Sequence, residues 1–499
     1  MSEIYRFVIR TIAPIHIGCD EVYDPLSFAV HEEEEKISVF SPFELVQSLS
    51  TQRLEEFSAL CQSGTISSIL KIYKFMAQVR PQGRKIEVTH GFVKHYRKTL
   101  SIPEDNPEKV KAELNRFIIW RTAFLAEDER PYIPGSALKG SLRTAYLNLL
   151  ASKKNVGPFK RNEAKKLETA LLDGGQFSTD PFRCVKVSDF RPVGHVKTKI
   201  LYAVNQKKAA SRFNASGPPQ ILEVIEPGSL FEGTITIESP HPRAKIKSPI
   251  RIKDLMSSLD YFYWKEKQRE DQELRALGIP GVTLRQGDSD IRIIRLGRHS
   301  GAECVTINGH RSIKIIAKRG GKPRWEKAAT TLWLASPDRR SGAKGELVPF
   351  GWAEFIVPEP SLLKSLSEKE ESWKKQWAQA KALSVEMLRK REKEAIEKRR
   401  EQERLRAEEE KKRREQEEKQ AYLSTLPPEQ TDILRLKEGD IQEEEVVAIY
   451  SRIDQYPDDK KKEVAQALKE WWISKGKWSG KQSKKQKVKI KKIREILGG

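Results

Sequence analysis

The chain opens with a pattern that alternates between apolar and polar residues, as a half-buried strand does. The run EIYRFVIRTIAPIHIG alternates in its first half and ends near Pro14 and Gly18. Further strands are predicted at Leu26–Val30 and Ile37–Phe40, before a helix capped by Ser41. Strands followed by a helix indicate the start of an α+β domain.

Helical spacing then dominates from about residue 50 to 129, which predicts a helical insertion. Strand patterns return between 182 and 240, and an aromatic, charged run predicts a helix ending at Gly278. Strands in IRIIRLG, TTLWLAS and ELVPFGWAEFIV complete a second α+β unit. We therefore expect one unit at 1–240 and a second at 241–358.

The remaining sequence has a different composition. The run from Leu366 to Leu423 contains no Gly or Pro, and Glu408 and Glu410 stand four residues before Lys412 and Arg414. A long, solitary charged helix at 359–425 is predicted, with a disordered charged linker as the alternative. Residues 426–499 are expected to form a small basic helical domain, whose core includes Trp471 and Trp472.

Charge narrows the range of partners. The 499 residues carry a formal net charge of +22, which favours a polyanion such as RNA or DNA. The basic residues are not gathered on a helix with a large apolar face, so a membrane surface is disfavoured. Four scattered cysteines without a C-x-x-C pair suggest neither a zinc site nor disulfides, and no cofactor is expected. A cytoplasmic protein with reduced thiols is predicted.

The run YIPGSALKGSLRTAYLNLL at Tyr132–Leu150 is the first candidate site. A Pro-Gly-Ser turn leads into a helix whose N-terminus, with Lys139 and Arg143, could bind phosphate. An ordinary helix with solvated bases explains these residues equally well. On the binding hypothesis, changing Lys139 and Arg143 should weaken RNA binding, whereas changing Gly135 or Gly140 should damage the fold.

A second glycine-rich element, Arg298-His299-Ser300-Gly301, follows a predicted strand directly. Glycine permits close backbone approach to phosphate, although a hairpin turn would also explain the loop. Between them, residues 205–219 form a predicted basic loop rich in Lys, Ser, Gly and Pro. Two such elements in a basic chain strengthen the case for RNA binding.

These motifs together resemble the RAMP superfamily of CRISPR effector proteins. The resemblance rests on residues 12–18 (IAPIHIG), 132–143 (YIPGSALKGSLR), 223–228 (EVIEPG) and 296–301 (LGRHSG), and it covers about 1–358. It implies two ferredoxin-like (RRM-like) units wrapped around single-stranded guide RNA. Asp20 and Asp24 are interpreted as structural. The expected RNA-binding residues are His16, Gly18, Ser136, Lys139, Gly140, Arg143, Lys207, Lys208, Arg212, Gly297, Arg298, His299 and Gly301.

Within the superfamily, motif order and spacing are similar to the type III-A Csm-complex subunit that caps the 3′ end of the guide RNA (crRNA). The resemblance implies a non-catalytic crRNA-binding subunit that assists crRNA maturation and complex assembly in antiviral defence. Its expected partners are crRNA, other complex subunits, especially the RAMP backbone subunit, and a host nuclease in 3′ trimming. The alternative is a metal-independent RAMP endoribonuclease that processes precursor crRNA with His16 as general acid or base.

Overall fold

The computed structural model describes residues 2–81, 83–209, 215, 217–284, 290–316, 321–340, 343–439, 441–480 and 482–498. The chain divides into two compact units, Met1–Ala378 and Gln379–Gly499. Helices and sheets are both extensive, so the predicted mixture of helix and strand is confirmed. No helix in the described ranges combines the length and apolar character that a membrane span requires.

The strands lie in the first unit. They are β1 (Ser2–Thr11), β2 (Gly18–Val22), β3 (Phe28–His31), β4 (Lys36–Val39), β5 (Arg84–Glu87), β6 (Ile119–Thr122), β7 (Val185–Val187), β8 (Arg191–Pro192), β9 (Thr198–Lys207), β10 (Gln220–Ile225), β11 (Leu230–Glu238), β12 (Ile291–Arg295), β13 (Ile313–Ile315), β14 (Arg324–Glu326), β15 (Thr331–Ser336), β16 (Val348–Pro349) and β17 (Trp352–Ile356).

The helices are α1 (Pro42–Ser48), α2 (Thr51–Gln62), α3 (Ile66–Val79), α4 (His90–Leu100), α5 (Pro107–Leu114), α6 (Gly135–Lys153), α7 (Ala164–Leu172), α8 (Ile252–Leu277), α9 (Pro360–Thr425), α10 (Pro428–Glu438), α11 (Glu443–Ser451), α12 (Asp458–Ser474) and α13 (Lys484–Leu497). The helix predicted to end at Gly278 does so, with Gly278 in the left-handed conformation at φ +69°. The predicted long charged helix is α9, and Glu408–Lys412 and Glu410–Arg414 form ion pairs along it.

The strands form two main sheets. The first sheet has the order β12-β17-β1-β11-β7, with β8 also paired to β11. The second sheet has the order β2-β6-β10-β9-β5-β4-β3, and β15 pairs with β9 and with β16. A separate hairpin joins β13 and β14. In the first sheet β1 is central, antiparallel to both β11 and β17.

This pairing corrects two predictions about organisation. The expected boundary at residue 240 does not separate the two sheets, because each sheet contains strands from both sides of it: β12 and β17 complete the first sheet and β15 joins the second. The expected helical insertion at 50–129 also contains β5 and β6, both strands of the second sheet. Each has only four residues, so its alternation was too short to distinguish from neighbouring helical patterns.

Helices α6 and α8 pack with the first sheet around one core. Leu138, Leu142, Leu255, Leu259 and Phe355 are fully buried in it. The second sheet packs with α3 and α4 through an aromatic cluster that includes Tyr73, Phe92, Tyr96, Phe117 and Tyr202.

The second unit has a core of its own, in which Trp471 and Trp472 are buried as predicted. The last basic stretch, residues 484–497, forms helix α13, which buries Ile490 and Ile493.

Candidate nucleic-acid interface

The turn after β1 and the loop after β12 meet directly. The backbone N–H of Arg298 donates to the carbonyl oxygen of His16 over 2.8 Å. Gly297 has φ +81°, and a Cβ added to it would lie 2.4 Å from the same oxygen. Glycine is therefore required at 297 for both conformation and space. Two motifs that are distant in sequence form one structural element.

The His16 side chain is buried beneath this contact, with 1% of its surface exposed. Its Nδ1 lies 2.8 Å from the carbonyl oxygen of Glu223, and its Nε2 has no hydrogen-bond partner among the described residues. Burial, opposed by that hydrogen bond and assisted by the charge of Arg298, lowers the pKa of His16. His16 is thus a neutral, interior ring at pH 7, whereas Gly18, just beyond it, is exposed.

One face of the second sheet carries aromatic side chains next to this element. We call the cluster formed by Trp120, Leu201, Leu222, Trp333 and Phe350 the aromatic face. Trp120 on β6 and Trp333 on β15 are only partly buried. The exposed guanidinium of Arg298 lies 5.5 Å from the centre of the Trp120 ring, within cation–π range.

His299 extends this surface towards β15. Its ring centre lies 4.8 Å from that of Trp333, and its Nε2 is 3.2 Å from Oε1 of Gln220. Burial, with the charges of Arg298 and His16, lowers the pKa of His299 to about 3, so the ring is neutral. Gly301 closes the loop at φ +80°. Partly buried rings beside one exposed cation suit base stacking with phosphate neutralisation.

The basic loop predicted at 205–219 begins later than expected, because Lys207 still belongs to β9 and pairs with Thr331. Lys208 points inward, with Nζ 2.7 Å from Glu303 and 3.0 Å from Glu273. Arg212 lies outside the described residues. Near the loop's end, a Cβ added to Gly217 would lie 3.9 Å from the Trp333 ring, so Gly217 borders the aromatic face.

The α6 motif lies elsewhere, against the first sheet. Lys139 donates from Nζ to the carbonyl oxygen of Val185 over 2.7 Å, and burial together with the charge of Lys186 lowers its pKa. Arg143 forms ion pairs with Glu168 and Asp180 at 2.7 and 2.9 Å. These contacts give both predicted phosphate ligands a structural role.

The small residues of the α6 motif differ in how closely other atoms pack against them. The N–H of Gly135 donates to Asp189 over 2.8 Å, and a Cβ at Gly135 would lie 2.3 Å from the carbonyl oxygen of Val187. Gly140 and Ser136 are exposed, and a Cβ at Gly140 would meet nothing within 4 Å. The expectation that Gly140 is needed for the fold is therefore wrong, because nothing packs against it.

The remaining candidate residues are two aspartates and four cysteines. Oδ1 of Asp24 accepts from the N–H of Leu26 over 2.8 Å and so stabilises a turn, while Asp20 is exposed. All four cysteines are free thiols. Across the described ranges, no three His, Cys, Asp or Glu side chains are grouped as metal ligands would be.

Sequence reasoning missed Trp120, Trp333 and Gln220. Each tryptophan occupies an alternating position in a short strand, where burial in a core is the default expectation. The available signal was weak: Trp120 precedes Arg121, but Trp333 has no basic neighbour in sequence.

Comparisons with known proteins identify the family of the chain. A family model described as the RAMP superfamily matches residues 8–484, and the chain belongs to that superfamily. It is similar to a curated Streptococcus thermophilus protein, CRISPR system Cms protein Csm5, with 28% identity over 243 residues. This match covers 46% of the chain and 63% of the relative, less than two thirds of the relative's length. The resemblance predicted from the motifs, to the superfamily and to a Csm subunit, is confirmed.

Two solved structures are also similar. One is a chain of a Csm-crRNA-target RNA ternary complex in a type III-A CRISPR-Cas system, with TM-score 0.47, 19% identity and coverage of 72% of this chain and 100% of that chain. The other is Csm5 of T. onnurineus, with TM-score 0.42, 18% identity and coverage of 70% and 100%.

Proposed function

We propose that this protein is a non-catalytic crRNA-binding subunit of a type III-A Csm complex. In this role it caps the 3′ end of crRNA and assists crRNA maturation and assembly of the complex. Its partners are then crRNA and the other complex subunits, the RAMP backbone subunit above all, with a host nuclease acting in 3′ trimming. Superfamily membership, the Csm5 relative and the net charge of +22 support this proposal.

The observation that carries the proposal is the exposed Arg298 over Trp120, beside His299 and Trp333. A cation at the edge of an aromatic sheet face can neutralise a phosphate while neighbouring rings stack bases. In this proposal the aromatic face binds the guide RNA, and the His16 turn holds the Arg298 loop in place.

The order of elements in the first sheet supports the ferredoxin-like part of the prediction. Along the chain, β1, α6, β7, β11, α8 and β17 follow the β-α-β-β-α-β sequence of that fold. In space β17, β1, β11 and β7 are successive antiparallel neighbours, with β12 added outside β17. We propose the second sheet as the other RRM-like unit.

The burial of His16 favours a non-catalytic role over the endoribonuclease. A general acid or base must reach the ribose 2′-OH, and the His16 ring lies inside the protein. Incubation of purified protein with labelled repeat RNA tests this directly. Cleavage that survives a chelator and disappears in His16→Ala would establish the nuclease instead.

Copurification tests the biological assignment. The tagged protein, expressed beside its neighbouring genes, should bring down guide RNA and complex subunits. Recovery of neither would refute the proposal.

A binding assay tests the surface. Trp120→Ala/Arg298→Gln should weaken binding of single-stranded RNA roughly tenfold or more, since one stacked base contributes about 1–3 kcal/mol. The matched control is Arg161→Gln/Trp325→Ala, which removes a similar pair, 4.1 Å apart, from the β13–β14 hairpin region. Equal losses in both variants would mean that the aromatic face is not the RNA site.

A further inference from the structure

The end of the second unit is strongly basic. Residues 469–498 contain eleven Lys and Arg residues against two Glu residues. Part of this charge is neutralised, because Lys477 pairs with Glu443 and Lys492 with Asp454. The remainder is concentrated on α13.

Helix α13 presents its cations to solvent in a regular row. Ile490 and Ile493 face the core of the unit. On the adjoining face, exposed basic residues recur at intervals of three or four positions, which places them along one side of the helix. We call this row the basic stripe; its members are Lys484, Lys487, Lys491 and Arg494. At 1.5 Å per residue the stripe is about 15 Å long.

Most of the stripe lacks carboxylate partners. Within the part of the chain that the structure describes, Lys484 and Lys487 form no ion pair. Lys491 has only a distant one, 3.9 Å from Glu495, on side chains that are 81% and 65% exposed. Such exposed pairs contribute little, so these charges are available to a ligand.

An aromatic ring lies beside the stripe. Trp478 is partly buried, stacked on Trp472 with ring centres 6.3 Å apart. The guanidinium of Arg494 and the ammonium of Lys469 both lie 5.7 Å from the centre of the Trp478 ring. The ring is thus packed against Trp472 and lies within cation–π range of two cations.

We propose that the basic stripe and Trp478 form a second binding surface for a single-stranded nucleic acid, separate from the aromatic face. A row of exposed cations attracts a phosphate backbone through release of its counterions, and a packed indole next to it can stack a base. An anionic membrane surface would need an apolar face on the same helix, and Val488 is the one large apolar side chain exposed on α13 in the described residues. The second surface would let this chain contact a further stretch of the guide RNA or another strand.

The test uses the full chain in the Trp120→Ala/Arg298→Gln background, so that the first surface contributes little. Binding of a labelled oligouridylate, of an oligothymidylate of equal length and of anionic phosphatidylglycerol vesicles is measured over a series of salt concentrations. The variant is Lys484→Gln/Lys487→Gln/Lys491→Gln, which removes three charges, keeps polar side chains that favour a helix and leaves the buried Ile490 and Ile493 unchanged. The control, Lys398→Gln/Lys411→Gln/Lys412→Gln, makes the same change in net charge on α9.

The stripe variant should lower the slope of log affinity against log salt by about 2, since each phosphate contact on a single strand contributes about 0.7. At about 0.1 M salt its affinity should fall roughly tenfold or more, while the control and the thermal melting curve stay unchanged. A loss of affinity for both oligonucleotides identifies the phosphate backbone as the ligand. A loss of affinity for oligouridylate alone identifies RNA as the ligand. Either result supports the proposal.

An unchanged slope, an equal loss in the control, or a loss confined to anionic phosphatidylglycerol vesicles overturns it. The proposed function is judged separately, by whether the Trp120→Ala/Arg298→Gln background itself has lost RNA affinity.

Discussion

The N–H of Arg298 and the carbonyl oxygen of His16 form a 2.8 Å hydrogen bond that joins the β12 loop to the turn after β1. This bond fixes where the Arg298 side chain leaves the backbone, and that side chain lies over Trp120. The His16 motif therefore acts on the surface indirectly, by positioning the loop that carries the cation.

Replacing Gly297 should disrupt that arrangement. In Gly297→Ala the new Cβ would lie 2.4 Å from the His16 oxygen, on a residue with φ +81°. Strain of this kind costs about 1–3 kcal/mol, and we expect a loss of at least that size in the free energy of unfolding. Urea denaturation measures it. The control is Gly140→Ala, where space is open within a helix and a gain of about 0.5–1 kcal/mol is expected. Equal changes in the free energy of unfolding of the two variants would contradict the requirement for glycine at position 297.

Arg143 should matter for stability rather than for RNA. Its guanidinium contacts Asp180 and Glu168 at partly buried positions, so Arg143→Ala should lower the free energy of unfolding by about 1–3 kcal/mol. RNA affinity, measured on folded protein and against salt, should stay the same. Lys186→Ala, at a more exposed neighbouring position, is the control for stability. A reduced salt slope in Arg143→Ala would restore the phosphate role that the sequence suggested.

Lys208 should prove to be a buried structural cation. Burial alone would raise the pKa of Glu303, but the hydrogen bond from Lys208 and the charges of Lys208 and Arg269 hold it at about 2. Lys208→Met leaves the Glu303 carboxylate, 1% exposed, without this partner, and should cost about 3 kcal/mol or more at pH 7.

The pH dependence of the free energy of unfolding tests whether the charge of Glu303 causes this loss. A carboxyl with a lowered pKa in the folded state stabilises the protein above its unfolded value of 4.5, and that stability is lost as pH falls towards 2. The difference between Lys208→Met and the parent should therefore shrink over this range in urea unfolding. A difference independent of pH would mean that the Glu303 charge is not involved.

His299 should make the protein less stable in mild acid. Its pKa is about 3 when folded, against 6.5 as the ordinary value, so unfolding takes up a proton between these values. Stability from this group is full above pH 6.5 and falls as pH decreases towards 3, by at most about 1.4 kcal/mol per pH unit.

The matched variant is His299→Asn, since Asn tolerates the left-handed conformation at φ +66°. Its free energy of unfolding should fall less than the parent's between pH 7 and 5, whereas parallel curves would contradict the assignment. NMR titration of the His299 ring, which should show no protonation above about pH 5, measures the same group directly.

The sequence was most informative where structure is local. It predicted α8 and its end at Gly278, the length of α9, the buried tryptophans of α12 and the strand that precedes Arg298. Periodicity, helix formers and a glycine at a helix end depend on neighbouring residues alone. The motif pattern was also sufficient for the superfamily, which the match over residues 8–484 confirms.

Tertiary structure decided the rest, because strand pairing and ion pairing join residues that are distant in sequence. Nothing in the sequence of β17 indicates that it pairs with β1, and short strands such as β5 and β6 gain their stability from the sheet around them. The sequence suggests that Lys208 and Arg143 are surface cations, but in the structure they form ion pairs with Glu303 and Asp180. The sequence alone determined a basic RAMP protein with a helical tail; only packing determined that Arg298, Trp120 and His299 form one surface.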